Sequence, residues 1–220
     1  MISSAKKQHL IAIQKEIAKK VIEHDDFTLN FIGGVDISYT QNKLICIIVV
    51  LNKDGNIMEK KESIGKETLP YVPGFLAFRE GPLIVETFRK LENKPDVLFV
   101  DGNGVLHPRK AGLASYVGIK LNTSTIGVTK KLLLGEVHQE NVFVKGDLRA
   151  IKLETKKGAK PIYVSVGHKI SLESAVQLVK EQLKGHKLPE PLRLAHSYVN
   201  KIKKRDVQIH FLQLCCNVPA

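Results

Sequence analysis

The sequence predicts an α/β fold, a mixed sheet in which three antiparallel strands lead into parallel βαβ units flanked by helices. Three observations predict it. Three runs rich in β-branched and apolar residues crowd residues 31–67, separated by turn-like gaps, and read as an antiparallel meander. After them, helical periodicity alternates with short, wholly apolar runs, the pattern of parallel strands buried on both faces. At 220 residues and 43% apolar content, the chain can bury a sizeable core without cross-links.

Taken in order, residues 4–24 end at "HDD" and read as an amphipathic surface helix. The three strands are "FIGGVDISY" (31–39), "KLICIIVVLN" (43–52) and "IMEKKESIGKE" (57–67). "TQN" joins the first two, and "KDGN", with its Asp54-Gly55 hairpin signal, joins the second to the third. Being half charged, the third strand is expected at the sheet's edge. "PLIVETFRKLE" (82–92) has helical periodicity, with Pro82 placed in the first turn. "PDVLFVDG" (95–102) reads as a buried strand, "KAGLASYVGIKLN" (110–122) as a small-residue helix, and "TIGV" (125–128) as a second buried strand. More β structure is expected in "NVFVKG", "AIKLETKKG" and "KPIYVSVGH", and helices over 171–184 and 189–204 close the fold. This element order is that of the ribonuclease H-like fold. No repeat, low-complexity segment or long linker divides the chain. A single domain over 1–220 is expected, with a helix at about 4–24, a core at about 31–204 and a tail over 205–220.

Composition bounds the function. The apolar run "LICIIVV" (44–50) is far too short to cross a bilayer, and the N-terminus lacks a signal-peptide core. Cys46, Cys215 and Cys216 form neither a disulfide framework nor a zinc pattern, which points to a reducing cytoplasm. Lys and Arg number 34 against 22 Asp and Glu, a formal charge of +12, so a polyanion such as nucleic acid is the expected partner class. "KIKKR" (201–205) is the densest basic run and by itself reads as a solvated helix face.

Three carboxylates stand out by position. Asp36 lies inside "GVDIS", apolar on both sides, in a strand where Asp is depleted. Alternation puts Asp36 on the face shared with Gly34 and opposite Val35 and Ile37. Asp101 ends "DVLFVDG", at the carboxyl end of a buried strand, where open α/β sheets place their ligands. Glu80 precedes Gly81-Pro82 at a helix entry. Each has an ordinary explanation alone: a solvated Asp, a turn cap, a helix-dipole partner. In a ribonuclease H-like sheet, however, the first strand and the strand after the first helix are neighbours. Two Asp at one depth there repel unless a hard divalent cation neutralises them, and oxygen ligands favour Mg²⁺, with Mn²⁺ as a substitute. That combination points to metal-dependent phosphodiester cleavage.

At these residues the chain resembles the endonuclease V family, the deoxyinosine-directed 3′ endonucleases. The matching stretches are "GVDISY", "PYVPGFLAFREGP", "KPDVLFVDGNGVLHPRKAGLAS", "TIGVTKKLLLG", "KGAKPIYVSVGH" and "PEPLRLAHSYVNK", in family order from about residue 33 to residue 203. The resemblance implies a ribonuclease H-like fold and Mg²⁺-dependent DNA repair. It implies cleavage of the second phosphodiester bond 3′ to a deoxyinosine, leaving 3′-hydroxyl and 5′-phosphate ends. It puts the metal-site carboxylates at Asp36, Glu80 and Asp101, a phosphate-contacting lysine at Lys130 and an active-site histidine at His196. The wedge motif falls on Pro70, Tyr71, Val72 and Pro73, where two prolines stiffen an apolar loop that can replace lost base stacking. The lesion pocket and DNA contacts fall on Gly74, Leu76, Arg79, Gly102, His107, Gly112, Leu113 and Gly127. Deoxyinosine DNA is the expected partner, with inosine RNA as the alternative substrate, the protein acting as a monomer without a membrane. Tyr116 and "SVGH" depart from the family pattern without touching the carboxylates.

Overall fold

The computed structural model describes residues 2–40 and 43–216, with side chains described to residue 205. In chain order the elements are α1 (Ser4–Lys20), β1 (Phe31–Thr40), β2 (Lys43–Asn52), β3 (Ile57–Lys66), α2 (Leu76–Arg89), β4 (Val97–Asp101), α3 (Leu113–Leu121), β5 (Ser124–Thr129), β6 (Glu136–His138), β7 (Asn141–Val144), β8 (Asp147–Leu153), β9 (Ile162–His168), α4 (Leu172–Glu181) and α5 (Glu190–Cys216). The strands form one sheet in the order β3-β2-β1-β4-β5-β9-β8-β7-β6. β1, β2 and β3 make the antiparallel meander, and β4 joins β1 and β5 in parallel pairing. This is the mixed ribonuclease H-like sheet that the sequence predicts, with the charged strand β3 at an edge.

The run "LICIIVV" is apolar at every position because β2 is covered on both sides. Leu44, Cys46, Ile48 and Val50 pack with Leu83, Ile84 and Phe88 of α2. Ile45, Ile47, Val49 and Leu51 pack instead with Ala195 and Val199 of α5. A third cluster buries Phe99, Ile126, Val164 and Val166 against Ala175, Leu178 and Val179 of α4. Two helical layers therefore enclose the parallel centre and leave the carboxyl ends of β1 and β4 as the accessible edge.

The structure corrects several boundaries. α1 stops at Lys20 instead of residue 24, because Val21 turns to extended backbone and the Ile22 amide donates to His168 Nδ1 at 3.2 Å. α2 begins at Leu76, so Pro82 lies in its interior instead of its first turn. A helix-breaking pair survives there because packing needs the glycine: a Cβ on Gly81 would lie 2.5 Å from the Tyr116 ring of α3. β6 is not predicted at all. It is three exposed residues, and its turn to β7 uses Gln139 at φ 58° instead of an Asn-Gly pair. α5 continues to Cys216 and takes up most of the expected tail, while Gln41, Asn42 and residues 217–220 lie outside the described residues. Among the described residues, no helix is long and apolar enough to cross a membrane.

Candidate active site

Register brings the first two carboxylates together. Val35 of β1 pairs with Val100 of β4 in parallel, so Asp36 and Asp101 occupy the next position on adjacent strands. Gly34 and Asp36 share the face toward α5, where a Cβ on Gly34 would lie 2.2 Å from the Pro191 backbone. That close approach seats the start of α5 against β1. One turn further along α5, His196 Nδ1 meets Asp36 Oδ2 at 2.6 Å, and Asn200 Nδ2 donates to His196 Nε2 at 3.2 Å. An imidazole carrying its proton on Nδ1 satisfies both contacts. Asp101 Oδ2 accepts from Lys130 Nζ at 2.6 Å, just past the end of β5.

Asp36, Asp101 and His196 offer ligand atoms within 4.8 Å of one another. His196 Nδ1 is engaged with Asp36 Oδ2, and the two carboxylates supply the hard oxygen donors of the group. Asp36 is only 9% exposed, and burial, followed by the charge of Asp101, raises its pKa above the usual Asp value. Asp36 and Asp101 on adjacent strands concentrate negative charge at one point, where Lys130 pairs with Asp101. The donor set fits a hard divalent cation.

Glu80 approaches from α2. It is buried, and burial pushes its pKa up to about 7, with Asp36 and Asp101 adding to the effect and a hydrogen bond from Tyr39 opposing it. The Tyr39 ring carries the Arg79 guanidinium at 4.4 Å, and Arg79 is in turn paired with Glu67 at 2.7 Å. Arg79 is thus engaged inside the fold beside Glu80. Tyr39 is a part of this arrangement that sequence reasoning missed. Its position in "DISY", on the opposite strand face from Asp36, was the only signal.

Beside the acids lies a cavity of about 150 Å³, lined by Tyr71, Gly74, Leu76, Ala77, Asn103, His107, Ala111, Gly112, Leu113 and Leu133. Gly74, Leu76, His107, Gly112 and Leu113 of the expected lesion pocket meet here. Gly102 and Gly127 do not line it: Gly102 abuts Leu113, and Gly127 lets β5 approach the backbone of residues 102–104. Pro70, Tyr71 and Pro73 of the expected wedge are exposed, Tyr71 at 66%, whereas Val72 packs inward near Leu69 and Phe75. His107 is buried, and burial lowers its pKa to about 4, so the imidazole is neutral near pH 7. The Asn103 Oδ1 is buried without a hydrogen-bond partner among the described residues. Ala77, Asn103, Ala111, Leu133 and the wall role of Tyr71 were not legible as pocket features.

A mixed sheet of this order, with paired acids at its carboxyl edge and a basic surface, defines a ribonuclease H-like nuclease. Comparison with known proteins narrows the class. The family model for endonuclease V matches residues 15–197. The chain belongs to the endonuclease V family. It is 39% identical to endonuclease V of Dictyoglomus thermophilum over 211 residues, covering 91% of this chain and 92% of the relative. The crystal structure of endonuclease V from Bacillus subtilis superposes with a TM-score of 0.86 at 30% identity, covering 96% of each chain. Endonuclease V of Ciona intestinalis, solved with a 24mer DNA containing an inosine followed by a ribo-adenosine, superposes at 0.82 with 28% identity, over 92% of this chain and 99% of that one.

Proposed function

We propose that the chain is a divalent-cation-dependent endonuclease that recognises deoxyinosine in DNA and hydrolyses the second phosphodiester bond on its 3′ side, leaving 3′-hydroxyl and 5′-phosphate ends. One observation carries the reading: Asp101, the last residue of β4, belongs to the acid pair, and Asn103, two residues on in the following loop, lines the cavity. Chemistry and base recognition are thereby fixed to one another by a single turn of chain.

Asp36 and Asp101, with Glu80 beside them, would hold Mg²⁺, or Mn²⁺ in its place, which supplies Lewis-acid stabilisation of charge at the phosphate. Lys130 sets a fixed positive charge next to Asp101 and toward the phosphate of the bound strand. His196 holds the Asp36 carboxylate in one orientation through its short contact, and Asn200 fixes the ring. Tyr71, held between Pro70 and Pro73 at the cavity mouth, fills the stack left by an extruded base. Extrusion costs roughly a few kcal/mol, and a preformed apolar loop offsets part of it without ordering on contact. The unpartnered Asn103 Oδ1 suits a base with a ring N–H donor, which hypoxanthine has and adenine lacks.

Cleavage of matched oligonucleotides, duplex DNA, single-stranded DNA and RNA, each with one inosine and with the cut mapped, tests this. The ribonucleotide beside the inosine in the Ciona complex is the reason for the RNA arm. We expect cutting with Mg²⁺, none with EDTA, and a loss of about 100-fold or more in Asp101→Asn with inosine binding retained. Cutting at the normal rate by Asp101→Asn, or equal cutting of adenine controls, would sink the reading.

A further inference from the structure

We infer that Gln14 of α1 is a positioning residue that sets the width of the base cavity from behind. This rests on the function proposed above for that cavity. Gln14 is 1% exposed, the polar member of a buried helix stripe with Leu10 and Ile17, and it lies outside every stretch that carries the chemistry. Its Nε2 donates to the Gly74 carbonyl at 2.8 Å and more weakly to the Ala111 carbonyl at 3.4 Å. Its Oε1 accepts from Arg109 Nε at 2.6 Å, which fixes the amide's orientation. Gly74 and Ala111 stand on two different walls of the cavity, the wedge loop and the loop entering α3.

Three donors converge on the Gly74 carbonyl: Gln14 Nε2, Arg109 Nη2 at 3.1 Å and His107 Nε2 at 3.1 Å. His107 Nδ1 accepts from the Arg109 amide at 3.2 Å, so the neutral ring has its proton on Nε2. Gly74 itself sits at φ +79°, a conformation that lets the chain turn from wedge to helix and leaves the half-buried carbonyl beside these donors. A carbonyl needs no more than two partners. Its over-satisfaction, by groups from α1 and the 107–109 loop, pins the hinge of the wedge loop. Of the three donors, Gln14 alone comes from α1, outside both walls, and donates to the Gly74 and Ala111 carbonyls together.

Base discrimination depends on that separation. Guanine presents hypoxanthine's edge plus a 2-amino group, so only the fit of the cavity can refuse it. Gln14→Glu keeps the size and the acceptor for Arg109 but loses both donor bonds. Gln14→Met keeps the length and loses all polar contacts. Equilibrium binding of duplexes carrying inosine or guanine at one site, without divalent cation, reads the discrimination directly, and steady-state cleavage with Mg²⁺ reads KM and kcat. We expect wild type to prefer inosine, and each folded variant to bind inosine DNA about tenfold or more weakly, to lose at least threefold in the inosine-to-guanine ratio and to change KM more than kcat. Thermal melting establishes which variants fold. An unchanged ratio in a folded variant, or a loss confined to kcat, overturns the inference. Loss of fold in both variants makes Gln14 purely structural and overturns it too. A wild type that ignores inosine defeats the proposed function instead, so the two failures are distinct.

Discussion

Burial, reinforced by Asp36 and Asp101, pushes the Glu80 pKa up to about 7, and this gives a measurable linkage. The folded pKa of about 7 lies above the reference value of 4.5. Between these values the folded chain binds more protons than the unfolded one, so this group's contribution to stability falls as pH rises from about 4.5 to about 7. Without divalent cation, Glu80→Gln should therefore gain stability relative to wild type across that window, as urea titrations at successive pH values will read. A difference that is flat with pH would contradict the assigned environment. Tyr39→Phe removes the hydrogen bond that opposes the shift, so the wild-type decline should extend to higher pH in that variant. Asp36 and Asp101 were legible in the sequence because a carboxylate in an apolar run or at a strand end is out of place, whereas Glu80 stood out only at an apparent helix entry that the structure places inside α2. Tyr39 and Gln14 were not, since a tyrosine in a strand and a glutamine in a helix break no local rule. Their partners lie far along the chain, 41 residues away for Tyr39 and 60 and 97 for Gln14.

Elements were legible wherever burial dictated composition. β2 is enclosed by α2 and α5, and its bounds follow from eight consecutive apolar residues, Leu44 to Leu51, that no other environment requires. The first turns of α2 were illegible because Gly81 and Pro82 look like a boundary, whereas the tight seat of Tyr116 against Gly81 overrides their propensity. β6 was missed because three exposed residues carry no burial pattern. The same logic makes the β1–α5 crossing a point of failure. With the Pro191 backbone 2.2 Å from an added Cβ, Gly34→Ala must push α5 away from the sheet. We expect destabilisation of about 1–3 kcal/mol in denaturant titration. Cleavage should fall more than the folded fraction does, because His196 moves off Asp36 with the helix. Loss of activity in strict proportion to unfolding would place the effect on stability alone.

The whole molecule separates affinity from selectivity. A formal charge of +12 is spread over lysines that include Lys7, Lys15, Lys19, Lys20 and Lys120, and Lys7 borders the wedge loop beside Val72 and Pro73. Among the described residues, by contrast, no Lys, Arg, Asp or Glu lines the cavity, and His107 is neutral there near pH 7. Phosphate contacts release counterions, so binding should weaken linearly in log–log terms with salt, by about 10³-fold between about 50 and 200 mM if about six phosphates are neutralised. Base contacts made by uncharged groups release none. The ratio of inosine to adenine affinities should accordingly stay constant across the same salt range while both affinities fall. Binding isotherms for the two duplexes at several salt concentrations measure slope and ratio together. A ratio that collapses with salt would mean that a charged side chain reads the base, and that the uncharged cavity between the wedge loop and α3 is not where the base is held.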